Sequence, residues 1–469
     1  MNWKGIVAAT IFLCSLYALN WHTDRTAFIV IAGLYSLSFV AYLWLVKEAR
    51  SISFKQLLVI AVLAHAVSMI YEPNLSVDYY RFIWDGEITL MGYNPFDFLP
   101  REIANQVNAD SPYMRELYSG LSDLSKDNYS CYPPLNQSYF IVSAMFSSSV
   151  WLSVFIMKLL IVATEILGAV YLLKLLKHFS IDKVRIWILY LNPLWIIECT
   201  GNVHFEGVML SFLIIAFYFI FTQKLILAGV FFALAVQMKI VPLLLLPFFL
   251  RFLGFKKAAL FYSVTIVLAI GIGLFQINGQ NVGNFFKSLA LYFRVFEFNS
   301  FIYYNINRIG KIFLEYNPSR IFGPIISLIS MFLILRLALK DSIVDWRQLF
   351  TKLLFGFFLF LILSGTMHPW YLLPILVLSI FTNFAFPVFW SYLIFFSYFF
   401  YQVGLGTSVA VRLMVGVEYF ILFALLYSEL KNKGTKVAFL SLATYFHPPS
   451  FSKNLNATSK RSDGFIAGE

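Results

Sequence analysis

The sequence predicts an all-α integral membrane protein: a polytopic helical bundle of about 13–14 transmembrane helices, with a large first outer loop that carries interfacial helices. Apolar residues make up 60% of the chain and charged residues 13%, whereas soluble domains are close to half apolar and a quarter charged. Apolar stretches near the length that crosses a bilayer recur from residue 5 to residue 430. Together these observations exclude a large soluble core.

The predicted spans follow the apolar runs in order along the chain. They lie near residues 5–20, 27–46, 55–71, 152–175, 186–199, 207–222, 224–238, 240–254, 258–276, 321–339, 348–364, 371–386, 388–403 and 411–430. Several are short for a hydrocarbon core of about 30 Å, so one or two half-spans remain an alternative to full crossings.

Lysine and arginine collect in the short loops between the predicted spans. If the spans alternate in direction, five basic loops fall on one side: Lys47, Arg50 and Lys55; Lys174, Lys177, Lys183 and Arg185; Arg251, Lys256 and Lys257; Lys340, Arg347 and Lys352; Lys431, Lys433 and Lys436. The positive-inside rule makes this side cytoplasmic, with both termini inside, and predicts a multi-pass protein of the cytoplasmic (inner) cell membrane. Basic residues that set the orientation of the spans thus explain the net charge of +11. The sequence shows no basic surface interleaved with aromatic residues of the kind that binds nucleic acid.

Two long segments on the opposite side divide the chain into parts. The predicted parts are three N-terminal transmembrane helices (1–71), an outer catalytic loop with interfacial helices (72–150), core transmembrane helices (151–276), a second outer loop (277–320), C-terminal transmembrane helices (321–436) and a cytoplasmic tail (437–469). Long loops that mix aromatic, acidic and basic residues are uncommon unless they have a function. We therefore expect the functional site on the outer face.

The first outer loop begins with three charged residues at helical spacing. On a helix, Asp78, Arg81 and Asp85 lie at i, i+3 and i+7, which is one face. A carboxylate there can deprotonate a hydroxyl or hold a divalent cation, and an arginine can bind phosphate oxygens in bidentate fashion. The alternative is that Asp78 caps the helix and pairs locally with Arg81 on a solvated surface.

The surrounding motifs resemble a known family of membrane enzymes. The segments are Asp78-Tyr79-Tyr80-Arg81-Phe82-Ile83-Trp84-Asp85-Gly86, Gly92-Tyr93-Asn94-Pro95-Phe96 and Tyr132-Pro133-Pro134-Leu135-Asn136-Gln137. They resemble the GT-C glycosyltransferases, nearest the bacterial polyprenyl-phosphate-mannose-dependent mannosyltransferases and more distantly GPI mannosyltransferase I. The resemblance implies an active site at the outer face, Asp78 as the catalytic base, Asp85 orienting Arg81, and substrate contacts by Tyr132 and Gln137.

One departure from the family concerns metal binding. Relatives often have two adjacent acids at this point, whereas this chain has Val77 before Asp78. The metal site is therefore unknown, no cofactor is certain, and dependence on a divalent cation such as Mg²⁺ or Mn²⁺ is left open.

Later outer segments add further candidates from the resemblance. In an extended segment Asn202, His204 and Glu206 point to one side, where they align an acceptor hydroxyl or complete a cation site. The alternative is a polar turn that caps the helix at 207. Lys239 matches a family position where a cation meets the carrier phosphate, although a lysine that snorkels to the surface is also consistent with the sequence.

The last candidate segment is His368-Pro369-Trp370-Tyr371, between two predicted spans. We expect His368 to donate a hydrogen bond to phosphate and Tyr371 to contact the substrate. An equally good interpretation of Trp370 and Tyr371 is an aromatic belt at the membrane interface.

These candidates predict a glycosyltransferase that moves a hexose, mannose by the resemblance, from a polyprenyl-phosphate donor to a hydroxyl acceptor. The acceptor is a lipid, a glycan or a protein, and the reaction is a single inverting displacement with no covalent enzyme intermediate. Arg81, Lys239 and His368 would stabilise the departing phosphate. The alternatives are a transporter or lipid flippase, although no internal repeat is evident; an O-antigen polymerase or ligase that uses a diphosphate lipid; and a non-catalytic scaffold.

Overall fold

The computed structural model describes residues 1–21, 23–108, 111–294, 297–314, 318–402 and 409–431. Its N-terminal helices and those of the first outer loop are α1 (Trp3–Asn20), α2 (Phe28–Lys47), α3 (Phe54–Met69), α4 (Asp78–Leu90), α5 (Pro100–Asn108), α6 (Pro112–Gly120), α7 (Asp123–Lys126) and α8 (Pro134–Met145). The predicted tail, 437–469, lies outside the described residues, as do Lys433 and Lys436.

The remaining helices follow the same order as the predicted spans. They are α9 (Val150–His178), α10 (Trp187–Tyr190), α11 (Pro193–Trp195), α12 (Glu206–Phe221), α13 (Leu225–Met238), α14 (Leu246–Leu253), α15 (Phe255–Gly273), α16 (Val282–Arg294), α17 (Ile302–Phe313), α18 (Ser319–Leu339), α19 (Trp346–Leu363), α20 (Leu373–Ser379), α21 (Phe386–Leu393) and α22 (Val409–Lys431). Short 3₁₀ turns span Lys183–Ile186, Val241–Leu245, Pro369–Leu372 and Ile394–Tyr401, and a π-helical turn spans Ile196–Gly201.

The prediction of an all-α polytopic membrane protein is confirmed. Within the described ranges, seven helices are long and apolar enough to cross a bilayer, namely α1, α2, α9, α15, α18, α19 and α22. Five shorter apolar helical segments coincide with other predicted spans: Phe54–Met69, Leu225–Met238, Val241–Leu253, Pro369–Ser379 and Phe386–Tyr401. These are shorter than the roughly 20 residues that a perpendicular crossing needs.

The segment predicted as a span near 186–199 is not one continuous helix. Pro193 has no N–H to donate, and Asn192 Oδ1 accepts the Leu194 N–H at 2.9 Å, so a new helical turn begins there. The chain continues into the π-helical turn and then bends by 112° before α12. Irregular backbone at membrane depth is tolerated where protein buries it, and residues 186–206 are buried throughout.

Helices α1 and α2 are neighbours joined by a short turn. On its inner face α2 packs against Ile394–Tyr401: the Tyr35 ring stacks on Phe395 with centroids 3.6 Å apart. The Tyr35 hydroxyl also donates to the Ser391 carbonyl at 2.6 Å. The outer face of α2 is open, with Ile29 81% exposed. Exposed apolar side chains on a membrane helix face lipid.

In the first outer loop, α4 lies directly against α8. A Cβ atom added to Gly86 would come within 2.5 Å of the Phe140 carbonyl oxygen, so only glycine permits this approach. Phe82 and Phe140 stack across the contact with ring centroids 4.7 Å apart. This packing fixes α4, whose first residue is Asp78, against the rest of the loop.

A buried glutamate on α22, Glu418, holds part of the predicted second outer loop. Glu418 accepts hydrogen bonds from Trp390 Nε1 at 2.8 Å and from Asn299 Nδ2 at 3.1 Å. Next to Asn299, Phe298 forms an isolated bridge with Thr366 and stacks on His368 with ring centroids 4.5 Å apart. These contacts position the chain that leads into Pro369–Leu372.

Candidate active site

Asp78 is the first residue of α4, and its side chain is 40% exposed. The preceding residue, Val77, occupies the N-cap position and makes no side-chain capping bond. Asp78 is therefore the first residue of the helix and not its N-cap, so the alternative in which Asp78 caps the helix is wrong. Acidic side chains in the first turn of a helix interact favourably with the unpaired N–H groups there.

His204 lies between Asp78 and a second carboxylate. Its Nε2 is 3.9 Å from Asp78 Oδ2, and its Nδ1 is 3.0 Å from Glu198 Oε2. The imidazole is 3% exposed and lies against Trp370 with ring centroids 3.7 Å apart. An Nδ1–H that donates to Glu198 leaves Nε2 turned toward Asp78.

Glu198 is fully buried and is held by three donors. In addition to His204, Asn202 Nδ2 and the Tyr398 hydroxyl each donate to its carboxylate at 3.0 Å. These three donors hold the Glu198 carboxylate in a fixed orientation. The π-helical turn Ile196–Gly201 supplies this residue, and single π-turns are frequent at functional sites.

The expectation of an extended segment through Asn202, His204 and Glu206 is wrong. Val203 has a φ of 60°, a left-handed conformation that β-branched residues rarely adopt. The turn divides the three side chains between two partners. Asn202 and His204 meet Glu198, while Glu206 pairs with Lys239.

Lys239 forms an ion pair with Glu206 inside the protein. The Lys239 side chain is 23% exposed, the Glu206 side chain is 3% exposed, and Lys239 Nζ lies 5.7 Å from the centroid of the Tyr371 ring. The phenol of Tyr371 is also within electrostatic range of Glu206 and Asp78. Lys239 is thus held at the site, which excludes the alternative of a lysine that snorkels freely to the surface.

His368 is buried among aromatic rings at the same site. It stacks on Trp370 with centroids 4.4 Å apart and an interplanar angle of 4°. Burial, with smaller contributions from His204 and Lys239, lowers the pKa of His368 to about 3. His368 is therefore neutral at neutral pH and can offer a hydrogen bond to phosphate but no positive charge.

Arg81, Asp85 and Gln137 form a separate buried network. Arg81 Nε donates to Asp85 Oδ1 at 2.7 Å, and Gln137 Nε2 donates to Asp85 Oδ2 at 3.1 Å. The Nη1 of Arg81 donates to the carbonyls of Ser125 at 2.5 Å and Asn128 at 2.8 Å. The network ties α4 to α7 and to the chain directly after it. The hydrogen bonds of Arg81 therefore go to Asp85 and to these carbonyls, and none goes to Asp78.

Tyr132 lies beside this network, with its ring edge against Phe82 at a centroid distance of 5.0 Å. It is half-buried and continues the aromatic contact between α4 and α8. Its contact with substrate, like that of Arg81, Asp85 and Gln137, stays a prediction.

Among the described residues, the side chains do not form a metal site of the usual kind. In the parts of the chain that the structure describes, no group of three or more His, Cys, Asp or Glu side chains could hold an ion. Dependence on Mg²⁺ or Mn²⁺ stays open, as the sequence leaves it.

The comparisons with known proteins bear on the same region. A sequence model for the N-terminal domain of alpha-(1->6)-mannopyranosyltransferases, the MptA/B family, matches residues 6–254. The chain belongs to this family. The match contains Asp78, Glu198, His204 and Lys239, and it identifies a multi-pass membrane glycosyltransferase of a mannosyltransferase family. No curated protein and no solved structure matches the chain.

Two residues of the site were absent from the predicted set. Glu198 stands in the apolar run from Leu194 to Cys199, and an acid in such a run is itself a signal of function. Tyr398, which donates to Glu198 from 200 residues further along the chain, gives no comparable signal because it lies among many other aromatic residues.

Proposed function

We propose that the protein transfers mannose from a polyprenyl-phosphate donor to a hydroxyl acceptor at the outer membrane face, with Asp78 as the base. The observation that carries the proposal is the exposed Asp78 carboxylate facing His204, which Glu198 holds from behind. Asp78 follows the predicted third span closely. A lipid donor can therefore stay in the bilayer while its head group meets this carboxylate.

The proposed reaction is one displacement at the anomeric carbon. An Asp78 oxygen takes the proton of the acceptor hydroxyl as that oxygen bonds to the anomeric carbon. The bond from the anomeric carbon to the phosphate oxygen breaks, and its electron pair leaves with the lipid phosphate. Since the family is named for an α-(1→6) linkage, one inversion requires a β-linked donor.

His204 is proposed to reset the base after each transfer. The proton on Asp78 passes to His204 Nε2, directly or through one water across the 3.9 Å separation, and it leaves to bulk water when the products dissociate. The buried Glu198 carboxylate then stabilises the imidazolium, as a buried acid does in other His-containing catalytic groups. Lys239, oriented by Glu206, is proposed to lie on the side of the departing phosphate.

The test is transfer of labelled mannose by the purified full-length chain in liposomes, with octyl α-mannoside as acceptor. The donors are α- and β-linked polyprenyl-phosphate mannose, polyprenyl-phosphate glucose and polyprenyl-diphosphate mannose. We expect β-linked polyprenyl-phosphate mannose to be the only one of these donors that supports transfer. NMR should show that the product is α-linked. A β-linked product from that donor would indicate double displacement, and transfer only from the diphosphate would overturn the proposed donor class.

A further inference from the structure

The two cations predicted for the site are both neutralised within the protein. Lys239 is paired with Glu206, and Arg81 is paired with Asp85. A phosphate group next to Asp78 would therefore meet a region in which the acids already balance or outnumber the bases. Binding of a phosphate at this point calls for a further positive charge.

Arg25 supplies such a charge from the turn between α1 and α2. Its guanidinium carbon lies 5.0 Å from the centroid of the Tyr401 ring, whose phenol is within electrostatic range of both Arg25 and Asp78. Among the described residues, Arg25 has no hydrogen bond or ion pair with a protein group. The adjacent Asp24 instead accepts from the Thr26 N–H and hydroxyl, at 2.8 and 2.9 Å.

An apolar groove begins at Ile29, close to this turn. It has a volume of about 900 Å³ and runs between α1 and α2, past Ile29, Gly33 and Leu37 to Trp44 and Trp3. Ile29 is four residues after Arg25. From Ile29 to Trp44 the helix rises about 22 Å, which is most of a hydrocarbon core of roughly 30 Å.

We propose that this groove binds the polyprenyl chain of the donor and that Arg25 binds its phosphate, with the sugar then directed toward Asp78. The inference rests on the proposed function and adds the binding site for the lipid. A guanidinium is suited to phosphate because it offers several donors in one plane. Arg25 and Asp78 both interact with Tyr401, and this favours the donor lipid over an ordinary phospholipid held by Lys4 at the other end of the groove.

The phosphate contact is tested by binding of polyprenyl phosphate without a sugar to the purified full-length protein. We expect Arg25→Gln to raise the Kd about 10- to 100-fold, the loss that follows when one charged hydrogen-bond partner of phosphate is removed. Arg25→Lys should restore part of the affinity. The matched control is Arg308→Gln, an exposed arginine that also contacts a tyrosine, Tyr304, in the second outer segment; its Kd should be unchanged.

The role of the groove in lipid binding is tested by placing a large side chain in it. A Cβ at Gly33 or at Gly271 meets no atom within 4 Å, so a side chain can be added at either position without a clash at the backbone. Of the two, only Gly33 lines the groove. We expect Gly33→Trp to raise the KM about tenfold or more for a long-chain donor and to leave a donor with a ten-carbon prenyl chain unaffected. Gly271→Trp should change neither, and equal melting temperatures of the two variants exclude misfolding.

The outcomes separate this inference from the proposed function. Binding of polyprenyl phosphate that weakens in Arg25→Gln and Gly33→Trp, without sugar transfer by the wild type, would keep the lipid site and overturn the proposed reaction. Transfer by the wild type with unchanged Kd and KM in both variants would overturn the lipid site alone. Loss of affinity in Lys4→Gln but not in Arg25→Gln would assign the groove to a phospholipid and would also overturn the inference.

Discussion

Two carboxylates flank the His204 imidazole, and they differ in exposure. The Asp78 side chain is 40% exposed, and that of Glu198 is 0% exposed. An exposed carboxylate can meet a substrate hydroxyl, whereas a buried one with three donors can only hold its neighbours in place. We therefore treat Asp78 as the group that reacts and Glu198 as a positioning residue that acts through His204.

Replacement of Glu198 by glutamine tests this division of roles. We expect Glu198→Gln to lower kcat by roughly 10- to 100-fold with little change in KM, because the uncharged amide cannot stabilise a protonated His204. The pH dependence of kcat should shift with it, which a purely structural defect would not produce. The control is Glu429→Gln, which alters a partly buried acid that accepts backbone N–H groups of Ala385 and Phe386. A Glu198→Gln variant with wild-type kcat and pH profile would contradict the assignment.

Glu87 predicts a pH dependence of stability. Burial raises the pKa of Glu87 to about 7 from its ordinary value of 4.5, so the folded protein binds this proton more tightly than the unfolded chain does. Its contribution to stability is complete below about pH 4.5 and is lost as the pH rises to about 7. We expect Glu87→Gln to melt about 1–3 °C above the wild type at pH 8 and to lose that advantage at pH 4.5. Asp97→Asn, an exposed control, should show no such difference.

Among the elements, α4 depends on its close contact with α8. The contact is possible because Gly86 has no side chain, as a Cβ would lie 2.5 Å from the Phe140 carbonyl oxygen. A displacement of α4 would move Asp78, its first residue, relative to His204. The helix that carries the proposed base is therefore positioned by a residue eight positions further along the chain.

Gly86→Ala should lower both stability and activity. We expect a loss of about 1–3 kcal/mol, because added volume in a tight helix contact forces the backbones apart. Gly271→Ala in α15 is the matched control: its Cβ meets nothing, and alanine in a helix is favoured over glycine by roughly 0.5–1 kcal/mol. Thermal unfolding and transfer rates measure the two variants. A Gly86→Ala protein as stable as Gly271→Ala would show that the contact is adaptable.

For the whole molecule, the proposal requires that Asp78 and the basic loops lie on opposite sides of the membrane. In a chain without its three cysteines, Asp97→Cys should react with an impermeant thiol reagent added outside intact cells. Lys256→Cys should react only after permeabilisation, because its loop is predicted to be cytoplasmic. Both positions are exposed, so access to the reagent depends on the side. The reverse labelling pattern would place Asp78 inside the cell.

Hydropathy predicted the fold class and the order of the helices, and the motif around Asp78 led to the family. The break at Asn192–Pro193 was missed because hydropathy averages over the segment and does not register its bend. The sequence predicted the pairing of Arg81 with Asp85, but not the two backbone carbonyls that Arg81 also binds, since Ser125 and Asn128 lie 44 and 47 residues away in sequence. Long-range contacts of this kind depend on packing that no local pattern encodes.

The most direct test of the central claim compares Asp78→Asn with Asp97→Asn in mannose transfer from β-linked polyprenyl-phosphate mannose. Asparagine keeps the size of the side chain but cannot accept the proton, and Asp97 is an exposed acid of the same loop. We expect Asp78→Asn to lower kcat by at least about 100-fold, with unchanged binding of polyprenyl phosphate, and Asp97→Asn to match the wild type. Near wild-type turnover by folded Asp78→Asn protein would contradict the assignment of Asp78 as the base.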